Sequence, residues 1–324
     1  MEKFGSISRL VGEIPEEDKK AILDDMQNIF NDQSFLSEVL LSREKEKTLE
    51  QKEIITLADK LTNELLQRYG LPEFKVPVDN VHVIDRGKWW LDTKLDGSYF
   101  SSWQTIFVKD EDFKLFMFGT IVHELVHMKS YNAMQLKRGF DDDTSVTDYR
   151  SGLETSARDI GVDVHYFELI NEAVTESLAI EVFNQAKTDP MFATELADST
   201  DLVHKLPVYD VHKNPDIYYV REEKNYPVGQ EGDEDQVGIH KASFKHAYIG
   251  ERRALNILID KIMTHHPEYK DRQEIFDLFA QAVLQGNMMP LVRLIEGTFG
   301  RGTFRSLGEC SDVKKLKKLV KSLK

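Results

Sequence analysis

An α+β fold is predicted for this chain by three features of its pattern. Stretches with the 3.6-residue period of helices lie at both ends, a β-rich stretch lies between 73 and 109, and an apolar run of helix length follows the strands directly. Residues 16–70 carry Glu, Lys, Leu and Ile at helical spacing and stop at Tyr69-Gly70-Leu71-Pro72, a helix stop followed by a breaker. The pattern then changes. Val81–Ile84 and Ser101–Val108 read as strands, with a turn signal at Leu95-Asp96-Gly97-Ser98 between them. The run Leu115–Met128 is apolar nearly all the way round, which predicts a buried helix.

Beyond that helix, Tyr131 to Arg138 and Val146 to Thr155 read as the arms of a hairpin around the acidic loop Asp141-Asp142-Asp143. Long helices are expected from about Val162 to Gln185 and from about Ser243 to Met263. Residues 186–241 between them read as a long irregular connection, a length that usually goes with function or mobility. The last third, Asp271 to Lys324, is helical in pattern with a break at Gly297–Gly302. Three parts are expected: a helical N-terminal region (1–75), a catalytic subdomain with a small mixed sheet (76–185) and a mostly helical C-terminal subdomain (186–324).

With 324 residues the chain is long enough to bury a large core. Its 42 basic and 56 acidic residues give a formal charge of −14, the wrong sign for general nucleic-acid binding, so no nucleic-acid partner is expected. A single cysteine, Cys310, cannot form an internal disulfide and fits a reducing compartment. The start, Met1-Glu-Lys-Phe, lacks the charge-then-apolar order of a secretory signal, and no run has the length of a transmembrane segment. A cytoplasmic protein is expected.

His123-Glu124-Leu125-Val126-His127 names a chemistry. Residues four apart share a helix face, so two imidazoles about 6 Å apart along the axis can grip one metal ion while the glutamate between them activates a water. Phe116, Gly119, Thr120 and Ser130 share that face, and small residues at 119 and 120 allow another element to approach the metal. A catalytic Zn2+ takes three protein ligands, which leaves a third to be found. In Leu169–Ile180, Glu172 and Glu176 are four apart on a stripe with Leu169, Ala179 and Phe183, a costly place for carboxylates unless a cation compensates them. Glu172 is assigned as the third ligand. Glu176, one turn on, is expected to accept the free N–H of a ligand histidine, His123, and so fix its tautomer.

At these residues the chain resembles the gluzincin metallopeptidases, whose thermolysin-like members pair HExxH with a downstream NExxSD-type helix. Here Asn171-Glu172-Ala173-Val174-Thr175-Glu176 matches, with Thr for Ser and Glu for Asp. The metzincin pattern fails, since Ser130 and Ala133 stand where it needs Gly and His. The resemblance covers roughly residues 100–185 and implies a zincin-like metallopeptidase fold, zinc as cofactor, a peptide or protein substrate, and Glu124 as general base. It also implies that residues 101–108, just before the metal helix, form the edge strand that pairs with substrate. The interval from His127 to Glu172 is longer than in thermolysin, and the hairpin at 131–155 fills it. An oxyanion donor is expected from the segment holding His240, His246 and Tyr248, of which Tyr248 is favoured because Arg252 and Leu255 follow it at helical spacing. Two other readings share the motif: a catalytically silent zincin-fold binding protein, its cleft blocked by 186–241, and a zinc hydrolase acting on a non-peptide amide.

The basic C-terminal segment, Val313–Lys324, has apolar residues at helical spacing and is expected to dock on the protein's own acidic surface, the alternative being a membrane or partner helix. The acidic runs at 141–143 and 231–235 lack EF-hand spacing and read as solvated loops.

Overall fold

A capping box opens the first long helix. Thr48 accepts from the backbone of Gln51 while the Gln51 side chain accepts from the backbone of Thr48, and helix α3 (Leu49–Arg68) follows. The structure, a computed structural model, describes residues 5–12, 15–36, 38–92, 95–138, 144–159, 162–197, 216–225 and 238–324. Ahead of α3 lie strand β1 (Arg9–Val11) and helices α1 (Glu16–Asn31) and α2 (Glu38–Leu41). Three strands come next, β2 (Val81–Ile84), β3 (Gly97–Phe100) and β4 (Thr105–Lys109), and then helix α4 (Lys114–Lys129). Four more strands, β5 (Asn132–Arg138), β6 (Thr144–Ser151), β7 (Glu154–Asp159) and β8 (Val162–Tyr166), lead into helix α5 (Glu168–Ala186). The hairpin β9 (Ile217–Asn225) and β10 (Gly238–Lys245) precedes a helical end: α6 (Ile249–His265), α7 (Arg272–Leu284), α8 (Met289–Phe299), α9 (Thr303–Gly308) and α10 (Val313–Ser322).

This is a mixed α+β architecture with small mixed sheets. One sheet has the order β2-β4-β3, with β2 parallel and β3 antiparallel to β4. The second has the order β1-β5-β6-β7-β8, with β1 parallel to β5 and the rest antiparallel. Helix α4 packs against α3, α5, β3 and β4, which explains why its sequence is apolar all round. The same core extends from Phe30 through Val320. Both first N–H groups of α4 are satisfied by Glu195, whose oxygens accept from Lys114 and Leu115 at 3.0 Å. At the other end Lys129, 1% exposed, reaches Asp59 Oδ1 on α3 at 2.7 Å.

Several elements differ from the sequence reading. Gly97-Ser98, expected to turn, begins the edge strand β3, and the turn falls instead at 101–104, where Gln104 is left-handed with φ 50°. That costly conformation is held by side-chain bonds: Gln104 Oε1 accepts from Ser6 N at 2.6 Å and its Nε2 donates to Met26 O. The substrate-edge role expected of 101–108 is therefore corrected: β4 is the central strand and β3 the edge. Val162–Tyr166 is a strand paired with β7, so the helix expected from Val162 starts at Glu168. Ser243–Lys245 belongs to β10, and that helix starts at Ile249. Part of the connection 186–241 is the β9–β10 hairpin. The acidic runs at 141–143 and 231–235 lie outside the described residues. The hairpin expected after α4 is β5–β6, pinned to the helical end by Tyr131 N donating to Val283 O at 3.0 Å.

Helix α10 lays Leu316 and Val320, each 1% exposed, against α6, and Lys261 of α6 donates to Leu323 O. Its apolar face carries this contact, while Lys314, Lys315, Lys318 and Lys321 stand exposed. No helix among the described residues is long and apolar enough to cross a membrane.

Candidate metal centre

The one-turn spacing on α4 brings the Nε2 atoms of His123 and His127 to 3.1 Å from each other. Glu172 arrives from α5, its Oε2 3.3 Å from His123 Nε2 and its Oε1 3.4 Å from His127 Nε2. Glu176, one turn further along α5, accepts from His123 Nδ1 at 2.8 Å. That bond leaves His123 Nε2 turned toward His127 and Glu172. Glu176 is held in turn by the backbone N–H of Ala247, which donates to Oε1 at 2.9 Å. His246 Nδ1 lies 3.7 Å from the same oxygen.

The arrangement fits a small divalent cation. Ligand atoms about 2.0–2.1 Å from a tetrahedral centre stand about 3.3 Å apart, the separation found among these groups. Two facing imidazole nitrogens and a buried Glu172 Oε2 without a hydrogen-bond partner are costly on their own and are what a cation relieves. Among the described residues this is the cluster of His and carboxylate groups with such geometry.

Electrostatics follow from burial and proximity. Burial works against charge on His123, but the Glu172 and Glu176 carboxylates beside it outweigh this and raise its pKa well above the ordinary value. Burial likewise opposes ionisation of Glu172 and Glu176, yet the histidines beside them hold both carboxyls below the usual carboxylate range. Glu124 differs. Burial pushes its pKa up, with the nearby histidines only partly offsetting this, and the backbone N–H of Tyr99 donates to it. Burial lowers His246 to about 4, so that it is neutral at pH 7.

Tyr248 stands at the mouth of α6 in a left-handed conformation, φ 50°, rather than on the helix proper. Its ring stacks on His123 with centroids 5.4 Å apart and planes 14° apart. Its hydroxyl is hydrogen-bonded to Glu172, and burial with three neighbouring carboxylates pushes its pKa up, keeping it a donor. The structure thus brings His123, Glu124, His127, Glu172, Glu176 and Tyr248 together, and His246 beside them. The side chain of His240 lies outside the described residues.

Two cavities meet at this cluster. One, of about 360 Å³, is walled by Phe116, Gly119, Ala179, Ile180 and Phe183. The other, of about 280 Å³, is walled by β3 and by Asp148, Ser151, Glu154, Ser156 and His165 of β6–β8. Gly97, His123, Glu124 and Tyr248 line both. A Cβ on Gly97 would lie 2.6 Å from Thr120 Cγ2 and 3.0 Å from Glu124 Cγ, so only glycine lets β3 lie this close to α4. The small residues of α4 admit two elements: β3 at Thr120 and the Phe183 ring of α5 at Gly119.

Sequence reasoning missed the roles of Gly97 and of the Tyr99 and Ala247 amides. Backbone donors carry no residue signature, and Gly97-Ser98 has the composition of a turn. His246, weighed from the sequence as an oxyanion donor behind Tyr248, stands beside Glu176. Compared with family models, curated proteins and solved structures, the chain matches none.

Proposed function

We propose that this chain is a zinc-dependent peptidase of zincin-like architecture, with zinc held by His123, His127 and Glu172. The observation that supports it most is the convergence of these three groups at 3.1–3.4 Å with the buried Glu124 on the same cavity wall. One carboxylate and two histidines at tetrahedral ligand spacing suit zinc better than oxygen-seeking Mg2+ or Ca2+. Zinc bound there would bring a bound water's pKa near neutrality and polarise a carbonyl.

The chain's own residues do the rest. Glu124 takes a proton from the attacking water and delivers it to the leaving amine. Its raised pKa suits both transfers. The Tyr99 amide fixes its carboxylate. Tyr248 would turn its hydroxyl from Glu172 to donate a hydrogen bond to the carbonyl oxygen as charge develops there. Glu176 orients His123, and the Ala247 amide orients Glu176. Lys109 N donates to Asp96 O at 2.9 Å, so by antiparallel alternation Gly97 and Tyr99 turn their backbone groups away from β4. A substrate backbone pairs with the Gly97 groups and the Tyr99 carbonyl, the Tyr99 N–H being taken by Glu124, and is recognised with little sequence preference.

Metal analysis of purified protein with peptide-library digestion by wild type and Glu124→Gln tests this. One zinc per chain and cleavage lost in the variant is expected. Zinc without cleavage of any peptide would favour a binding role, and absence of stoichiometric metal would overturn the site.

A further inference from the structure

The two cavities beside the metal cluster differ in chemistry, and the difference reads as substrate selection. We propose that the cavity between β3 and the β6–β8 sheet binds a cationic nitrogen of the substrate on the amino side of the scissile bond, with Asp148 and Glu154 as its counter-charges. This rests on the peptidase reading above and names the substrate class for that site.

The charge of this cavity is built by strand geometry. Ala133 pairs with Arg150 and Met134 with Asp148, so Tyr149 is an extra residue, a bulge, in β6. Neighbours on β5 point to opposite faces. The bulge therefore sends Asp148 and Arg150 to opposite faces, although residues two apart in a regular strand share one. Arg150 is engaged on its own side, donating to the carbonyls of Gly152, Gly286 and Ala282 at 2.7–3.1 Å. Asp148 faces the cavity with Ser151, and Ser151 pairs with Glu154 on β7. Among the described lining residues there is no lysine or arginine.

Both carboxylates keep capacity for a ligand. Asp148 Oδ1 accepts from Ser101, and Glu154 Oε1 accepts from His165 at 2.7 Å, which leaves a second oxygen on each. Burial pushes the Glu154 pKa up, and the His165 imidazole beside it only partly offsets this. A divalent cation on the three ligands is balanced within the set Glu124, Glu172 and Glu176. Asp148 and Glu154 lie outside it. The other cavity, walled by Phe116, Ile180 and Phe183, is apolar by comparison.

Direction follows from β3. Leu95 and Gly97 border both cavities, but Asp96 at the start of the strand lines the apolar one alone, whereas Ser98, Tyr99 and Ser101 toward its end line the acidic one alone. A substrate paired antiparallel to β3 therefore lays its amino side in the acidic cavity and its carboxyl side in the apolar one. The cationic nitrogen is a Lys or Arg side chain or a free α-amine.

The test is calorimetric binding of a peptide series to the zinc-loaded Glu124→Gln protein, which needs no turnover. Peptides differ only in Arg, Lys, Gln or Glu at one position, each with a free and an acetylated N-terminus. Arg and Lys peptides are expected to bind about tenfold tighter than Gln peptides, with Glu peptides weaker still, and the gap should narrow as salt rises. Asp148→Asn with Glu154→Gln should remove the gap, and Asp148→Lys should favour Glu. An Arg and Lys preference that survives acetylation assigns a side chain, and tighter binding of free than of acetylated peptides whatever the varied residue assigns the α-amine. Equal binding of Arg, Gln and Glu peptides, free and acetylated, would overturn the proposal even if the charge variants fail to fold, since that comparison needs none of them. If instead the preference is present but wild-type enzyme cleaves none of the bound peptides, the peptidase reading fails and this one stands.

Discussion

Gly97→Ala probes the contact on which the whole groove depends. The added Cβ would sit 2.6 Å from Thr120 Cγ2, 3.0 Å from Glu124 Cγ and 3.1 Å from Glu124 Oε1, where carbon atoms rest at about 3.5–4.0 Å. Relief requires about 1 Å of movement of β3 away from α4 or of the Glu124 side chain. Overpacking of this kind costs about 1–3 kcal/mol. At about 2.1 cal/mol/K per residue over 324 residues, the unfolding entropy is about 0.7 kcal/mol/K, so a loss of about 2 kcal/mol lowers Tm by about 3 °C. A misplacement of about 1 Å in a general base costs on the order of 100-fold in kcat, while zinc content stays at the wild-type level because no ligand atom is displaced. Thr120→Ser removes the closest obstructing atom but keeps the hydroxyl that donates to Phe116 O. The Gly97→Ala/Thr120→Ser protein should therefore recover much of the lost stability, a coupling of about 1 kcal/mol between the two sites. Thermal unfolding and zinc analysis on the four proteins of this cycle, with turnover on the best library peptide, measure all three quantities. Wild-type Tm and turnover in Gly97→Ala, or strict additivity in the double variant, would refute the close-approach argument.

Glu176→Ala removes the acceptor of His123 Nδ1 and should weaken zinc affinity about 10–100-fold, measured by competition with a chelator; unchanged affinity would show that Glu176 does not orient the ligand. Lys129→Met leaves Asp59 facing α4 without its 2.7 Å partner, and Asp59→Asn leaves the 1%-exposed ammonium under-paired. Each should cost about 3–5 kcal/mol in urea titrations, whereas the Asp59→Leu/Lys129→Met pair should cost far less than their sum. His246 has its pKa lowered from 6.5 to about 4 in the folded protein, so between these values the unfolded state binds more protons and stability rises with pH. Acidifying from pH 7 to 4 should remove about 3 kcal/mol on its account, and His246→Gln should be the less pH-sensitive protein over that window. An NMR titration that places the His246 imidazole near 6.5 would contradict this.

The groups that bear the chemistry were legible because each set lies within two turns of one helix. His123, Glu124 and His127 announce themselves by spacing on α4, as do Glu172 and Glu176 on α5, and an apolar stripe that carries carboxylates is anomalous enough to demand a cation. Helix identity was legible for the same local reason. Strands were not. β7 and β8 are short and polar, and they exist because β6 offers them a paired edge, while Val162-Asp-Val-His-Tyr166 alone fits a helix as well as a strand. The turn at 101–104 depends on a left-handed Gln104 fixed by Ser6 and Met26, nearly a hundred residues away in the first case.

Mutual placement is the part that no local pattern contains. The two ligand helices are set against each other by contacts that span long stretches of chain: Lys129 with Asp59, Glu195 at the start of α4, Ala247 N–H on Glu176, and Asn171 Oδ1 accepting from Leu153 N at 2.9 Å beneath the β6–β7 turn. Several of these contacts join a side chain to a backbone amide, a pairing that leaves one partner free to be any residue but proline. The motif residues can therefore stay readable while the frame around them is written in amides. The proposed cation-binding cavity inherits this asymmetry. Asp148 and Glu154 look like ordinary charges in a polar hairpin until the bulge at Tyr149 turns Arg150 away and leaves both carboxylates beside the metal cluster.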